Sequence, residues 1–224
     1  MTPIERLFAL EQFGIKLGLE NIRAILAALD HPERAWRSIH VAGTNGKGSV
    51  AAMVERGLRA AGLVTGRYTS PHLDAIEERV AINGIAVARR TFTDATERVF
   101  DAVDEATRGG RLAVVPTFFE VSTAVAFEIF RLAKIDVAVV EVGLGGRYDA
   151  TNVLSPDLTA ITSIAFDHER HLGTTLSGIA FEKAGIAKSG IPLITQKYRS
   201  SMANTIAAQA ALTGAKYLAR GEAW

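Results

Sequence analysis

Cysteine is absent from the 224 residues. That excludes disulfides, thiolate metal sites and a cysteine nucleophile, and it leaves a reducing compartment allowed. A bias of charge is absent too: 25 lysines and arginines stand against 24 aspartates and glutamates, with no extended run of either sign. Nucleic acid and anionic membranes therefore find no electrostatic handle as main partners. No uncharged apolar run reaches the ~18 residues of a membrane span, and Met1-Thr2-Pro3-Ile4-Glu5-Arg6 lacks the basic start and apolar core of a signal peptide. Internal repeats and low-complexity linkers are also missing. What remains is a globular chain, 48% hydrophobic, able to fill a substantial core. Its expected place is the cytoplasm and its expected state a monomer.

Against those absences one stretch stands out. In Ser38-Ile39-His40-Val41-Ala42-Gly43-Thr44-Asn45-Gly46-Lys47-Gly48-Ser49 an apolar strand runs into glycines, a lysine and a hydroxyl. Small residues let backbone amides approach phosphate oxygens, the following helix offers the positive end of its dipole, and Lys47 adds a point charge. Ser49 is placed to reach a bound Mg²⁺. The spelling departs from G-x-x-x-x-G-K-[ST], since Val41 replaces the first glycine and Gly48 intervenes before Ser49.

Apolar spacing predicts a helix over about Leu19 to Leu29, a strand at Ser38 to Ala42, a helix from Ser49 to Ala61 and a strand from Leu63 to Thr69. Asp74 to Ala88 reads as a long surface loop with a short hairpin at Asn83-Gly84. Helices follow at Thr93 to Thr107 and Thr117 to Leu132, then a fully buried central strand at Ile135 to Val142. Strands at about Leu158 to Ile164 and Ile191 to Thr195 alternate with helices at Leu176 to Ala187 and Ser200 to Leu212, and a last strand begins near Ala215. The fold class is α/β, one doubly wound, mostly parallel sheet.

Open sheets of this kind place ligand-contacting residues at the carboxyl ends of their strands. Glu141 ends a buried strand, and a carboxylate there is either half of a structural ion pair or a ligand. Asp167-His168 follows another strand, where an aspartate or imidazole ligates metal, orients a ligand, or is a satisfied loop residue. If the strands leading to Gly43, Glu141 and Asp167 are neighbours, a phosphate loop, a carboxylate and an imidazole converge on one Mg²⁺–nucleotide. Gly143-Leu144-Gly145-Gly146 permits close backbone approach, and Arg147-Tyr148-Asp149-Ala150-Thr151-Asn152 then supplies a dense set of polar groups. Lys183, in Phe181-Glu182-Lys183-Ala184-Gly185-Ile186, is a charged amine at a small, apolar helix end, to be snorkelled, paired or modified.

Taken together, His40 to Ser49, Thr69-Ser70-Pro71-His72-Leu73, Glu141 to Asn152 and Phe181 to Ile186 resemble the folylpolyglutamate synthase/dihydrofolate synthase family of the Mur ligase superfamily. The resemblance runs in order along essentially the whole chain, and the family's own loop resembles Gly-Thr-Asn-Gly-Lys-Gly-Ser. It implies a P-loop NTPase-like Mur ligase central domain over residues 1–224. The implied activity is an ATP-dependent ligase that turns a pteroate-type carboxylate into an acyl phosphate, which the amine of L-glutamate displaces. Its substrates are then ATP, dihydropteroate or a reduced folate, and L-glutamate. By similarity Gly43, Thr44, Asn45, Gly46, Lys47, Gly48 and Ser49 cradle ATP, with Asn152 also on the nucleotide. Ser70, Glu141 and His168 match magnesium ligands, Lys183 matches a carbamylated lysine, and Lys47, His168 and Lys183 are the catalytic set. Thr117, Phe119 and Asp149 fall where the pterin-bearing substrate is held, and the loop from Ser70 to about Gly84 resembles a mobile loop beside the site.

Family members carry a second, C-terminal Rossmann-like domain. The resemblance therefore predicts that these residues lack that domain and the end of the first, and that alone they ligate nothing appreciable. Two other readings are a noncatalytic ATP-binding module and a Mur-type ligase with a peptidoglycan substrate; the Lys47-Gly48-Ser49 and Thr69-Ser70-Pro71-His72-Leu73 spellings weigh against the latter.

Overall fold

The structure, a computed structural model, describes residues 1–14, 16 and 18–224. Helices α1 (Pro3–Phe8) and α2 (Glu20–Ala28) precede β1 (Arg37–Ala42), and α3 (Lys47–Ala60) leads to β2 (Thr65–Tyr68). The strands β3 (Val80–Ile82) and β4 (Ile85–Ala86) are followed by α4 (Arg89–Arg108) and α5 (Phe118–Leu132). Then come β5 (Val137–Glu141), β6 (Leu158–Ile161), a short α6 (Glu169–Leu172), α7 (Leu176–Ala184), β7 (Pro192–Thr195), α8 (Ser200–Thr213) and β8 (Lys216–Ala219).

The eight strands among the described residues form one sheet in the order β4-β3-β2-β5-β1-β6-β7-β8. The run from β2 to β8 is parallel, and β3 and β4 join its edge antiparallel. β5 is buried at every residue, as its continuous apolar run demands of a strand covered on both faces. Alternation decides the layers: Val41 and Val139 pack with Ala51 of α3, whereas Ala138 and Val140 join the large core under α2, α4 and α5. Trp36 sits edge-on to Phe127 and Phe130 of α5, at 5.3 and 5.4 Å between ring centres. Ala42, Ile161 and Leu193 pack beneath α7 and α8.

The sequence reading and the structure part at three places. The supposed surface loop of Asp74 to Ala88 is in part the edge of the sheet, with Ile76, Val80 and Ala81 buried. Its hairpin turns at Asn83 and Gly84, with φ of 49° and 78°, the left-handed pair that the twist of antiparallel strands selects. Helix α1 was not foreseen, although Thr2 and Glu5 form a capping box around Pro3. Helix α4 begins at Arg89, four residues before the expected start at Thr93.

Candidate active site

Three adjacent strands, β5, β1 and β6, point their carboxyl ends at one edge. The neighbourhood that the sequence made conditional is present. From β1 the chain enters the phosphate loop, whose shape is held by the segment leaving β6. The Thr44 amide donates to the Ser163 carbonyl at 2.7 Å and the Asn45 amide to Ser163 Oγ at 3.0 Å. Thr162 Oγ1 and Ser163 Oγ both donate to the Asn45 carbonyl, at 2.9 and 3.0 Å. Gly43 has φ of 149° and lies against the Thr162 side chain, so a larger residue has no room there. Gly46, at φ 81°, starts α3 without any side-chain cap. With the Thr44 and Asn45 amides spent inside the protein, the first-turn amides of α3 at Lys47, Gly48 and Ser49 are the ones left for an anion. No acidic residue stands in that turn. The loop therefore fits a polyphosphate.

Lys47 Nζ donates to the Thr44 carbonyl at 3.1 Å and stands 3.8 Å from Glu141 Oε1. Glu141 Oε2 accepts the Ser70 amide at 3.3 Å. Burial pushes the Glu141 carboxyl up and Lys47 pulls it back. Lys183 is 3% exposed, and its ammonium donates to the Gly43 carbonyl at 2.9 Å. Burial, then the charge of Lys47, lowers it to about 8. The adjacent carbonyls of Gly43 and Thr44 thus each receive a lysine, and one of those lysines faces a carboxylate. His168 stands on the exposed side of this edge, with Nε2 3.6 Å from Asp167 and left-handed backbone at φ 47°. Among the described residues no group of three or more acidic, histidine or cysteine side chains is gathered to hold a metal. A magnesium ion here would rest on Glu141 and the Ser70 hydroxyl, with phosphate and water oxygens completing its shell.

Beside the loop lies a cavity of about 520 Å³. Its wall includes Thr44, Lys47, Ser70, Asp167 and His168 together with Thr117, Phe118, Phe119, Leu144, Tyr148 and Asp149. All three residues expected on the substrate, Thr117, Phe119 and Asp149, are therefore on its wall. Thr117 is also the cap of α5, exchanging hydrogen bonds with Glu120. Asp149 is buried and accepts the Leu144 amide at 2.8 Å, the Thr151 amide at 3.0 Å and the Thr151 hydroxyl. Burial raises it, against those donors.

Asn152 is placed differently. Its Nδ2 donates to the carbonyls of Arg147 and Gly185, at 2.9 and 3.1 Å, tying the loop after β5 to the end of α7. Only its buried Oδ1 has no partner. The glycines of that loop serve close packing within the protein: Gly143 meets the Phe119 ring, and Gly146 the carbonyls of Glu182 and Lys183.

Two cavity residues escaped the sequence reading. Arg79 is 7% exposed, gives its Nε–H to His72 Nδ1 at 2.9 Å and covers the Phe118 ring at 5.1 Å, in no ion pair among the described residues. Lys16 reaches the cavity from the N-terminal segment and donates to the Val115 carbonyl at 3.0 Å. Neither carries a local signal, because both are brought in by chain folding.

No protein-family model matches the chain. Among curated proteins it is 44% identical, over 188 residues, to the dihydrofolate synthase/folylpolyglutamate synthase of Bacillus subtilis, covering 82% of this chain and 43% of that one. Among solved structures it superposes on E. coli FolC in complex with DHPP and ADP with a TM-score of 0.88 at 37% identity, over 99% of this chain and 52% of the other. A further match is an FPGS–AMPPCP–folate complex, TM-score 0.88 at 37% identity, covering 98% and 54%. The chain spans about half the length of the proteins it matches.

Proposed function

Because the chain belongs by homology to the folylpolyglutamate synthase/dihydrofolate synthase family, we propose that it carries the ATP-binding part of a ligase that joins L-glutamate to a pteroate or folate carboxylate. One observation carries this reading: a single cavity is lined both by Thr44 and Lys47 of the phosphate loop and by Phe118, Phe119 and Asp149. Phosphoryl chemistry and a flat, hydrogen-bonding acceptor then meet in one space. An acceptor carboxylate oxygen attacks the γ-phosphorus and ADP leaves; the glutamate nitrogen next attacks the acyl carbon, and phosphate leaves with formation of the amide. Lys47 and the α3 amides stabilise charge as the phosphoryl group moves. Glu141 and the Ser70 hydroxyl, with His168 at the rim, would hold a magnesium ion, which would supply further neutralisation. Lys183 is a candidate for carbamylation, since its lowered ammonium leaves neutral amine able to attack CO₂.

Arg79 and Lys16 add positive charge to the acceptor wall, suited to a carboxylate-bearing ligand. No helix among the described residues is long and apolar enough to cross a membrane, and we place the activity in the cytoplasm with small molecules as its partners. The test is phosphate release and amide formation by the full-length protein, with dihydropteroate and with tetrahydrofolate in parallel. The expected result is release that needs ATP, acceptor and glutamate together. Release indifferent to either acceptor overturns the reading, and ATP binding with no release at all favours a noncatalytic nucleotide-binding module.

A further inference from the structure

His40 lies in the middle of β1 and is fully buried. Its Nε2 is 2.8 Å from Thr151 Oγ1, and that hydroxyl in turn contacts Asp149 Oδ1 on the cavity wall. Its other ring nitrogen, Nδ1, is buried and has no partner among the described residues. A chain of imidazole, hydroxyl and carboxylate has two possible directions. In one, Nε2–H donates to Thr151, whose own proton is then directed to an ionised Asp149. In the other, a protonated Asp149 donates to Thr151, which donates to Nε2, and the imidazole proton resides on Nδ1. The second direction leaves a buried N–H without an acceptor, whereas the first leaves only a lone pair. Burial also keeps the imidazole neutral, with its pKa lowered to about 3, so a doubly protonated ring does not enter.

We propose that His40 is a positioning residue for the acceptor: through Thr151 it holds Asp149 as an oriented carboxylate that accepts N–H donors from a heteroaromatic ligand. The inference rests on the cavity being the acceptor site. Asp149 Oδ1 takes the Thr151 amide and hydroxyl, Oδ2 takes the Leu144 amide, and the Gly143 amide also acts on the carboxylate; a ligand N–H would share the lone pairs these donors leave. Other groups that act on Asp149 are Tyr68 of β2, Glu141 of β5 and Lys183 of α7, while Lys188, beyond α7, acts on His40. These stay in place in the variants below.

The experiment is steady-state kinetics of the full-length enzyme across pH for His40→Leu, His40→Gln, Thr151→Val and Thr151→Ser. Leucine and valine remove the relay, while glutamine keeps an N–H near the Nε2 position and serine keeps the hydroxyl. Expected are an acceptor KM at least about tenfold higher in the leucine and valine variants, an ATP KM within about twofold of wild type, and recovery in the glutamine and serine variants. The acid limb of kcat/KM for the acceptor moves to higher pH when the relay is lost, because Asp149 loses a donor to its charged form. The proposal is overturned if acceptor and ATP KM change together, if neither changes, or if glutamine is as impaired as leucine. Should His40→Leu fail to fold, the valine and serine pair at Thr151 decides on the same readouts. A wild-type enzyme that uses no pteroate acceptor sinks the proposed function itself, a result distinct from variants that merely behave like wild type.

Discussion

Lys183 shows how a single side chain acquires chemistry from its surroundings. Its ammonium is held at about 8, against an ordinary 10.5, by burial and by Lys47. The proposed carbamate needs the neutral amine, so any modified fraction is expected to rise with pH up to and through that value. Lys183→Ala is expected to lower ligase activity on the order of 100-fold, with partial rescue by short carboxylates; an unaffected rate removes Lys183 from the site. For His40 the sign runs the other way along the pH axis. Its folded value of about 3 lies below the ordinary 6.5, so the unfolded chain binds a proton that the folded chain refuses, and stability falls as pH drops through that interval. Denaturant melts at pH 7 and pH 4.5 are expected to show a smaller acid loss for His40→Leu than for wild type. Arg79→Leu is expected to raise the acceptor KM about tenfold and leave the ATP KM unmoved; equal changes in both make it a packing residue. Lys47, Glu141 and Lys183 were legible as candidates because their types are conspicuous beside glycines or in apolar runs. Arg79 and Lys16 were not, since nothing local distinguishes a cavity arginine from a solvated one.

Among elements, α5 and the loop after β5 do most to shape the cavity. Thr117 and Glu120 cap α5 reciprocally while both are buried, and Thr117→Ala is expected to cost about 1 kcal/mol, with Thr117→Ser retaining it; urea denaturation separates the two. A cost shared equally by serine shows that the methyl group, not the cap, is at work. Gly146 abuts the end of α7, where an added Cβ comes 2.8 Å from the Glu182 carbonyl. Gly146→Ala is thus expected to destabilise by about 1–3 kcal/mol and to displace Lys183, visible as weaker ligation even where the chain folds. Strand and helix order could be read from apolar period because burial enforces it. The use of these glycines could not: a glycine that admits a ligand and one that admits a neighbouring helix look alike until the neighbour is known.

At the scale of the molecule, the phosphate loop presents Asn45, Gly46 and Ser49 to solvent, and an acyl phosphate formed there meets water. The 224-residue chain is therefore expected to bind Mg-ATP by calorimetry yet to form no appreciable amide; efficient ligation by 224 residues refutes this. By itself the sequence determined the α/β class, most of the strand order along the chain, the glycine–lysine loop as a candidate and the family, because periodicity and short motifs are local and survive in one dimension. Tertiary structure alone decided that β5, β1 and β6 are neighbours, that Lys183 rests on Gly43, that Asn152 clips the β5 loop to α7, and that His40 reaches Asp149 through Thr151. Those contacts join residues up to 140 positions apart, and only the packing of strands and helices, which no local pattern encodes, brings such residues within hydrogen-bonding distance.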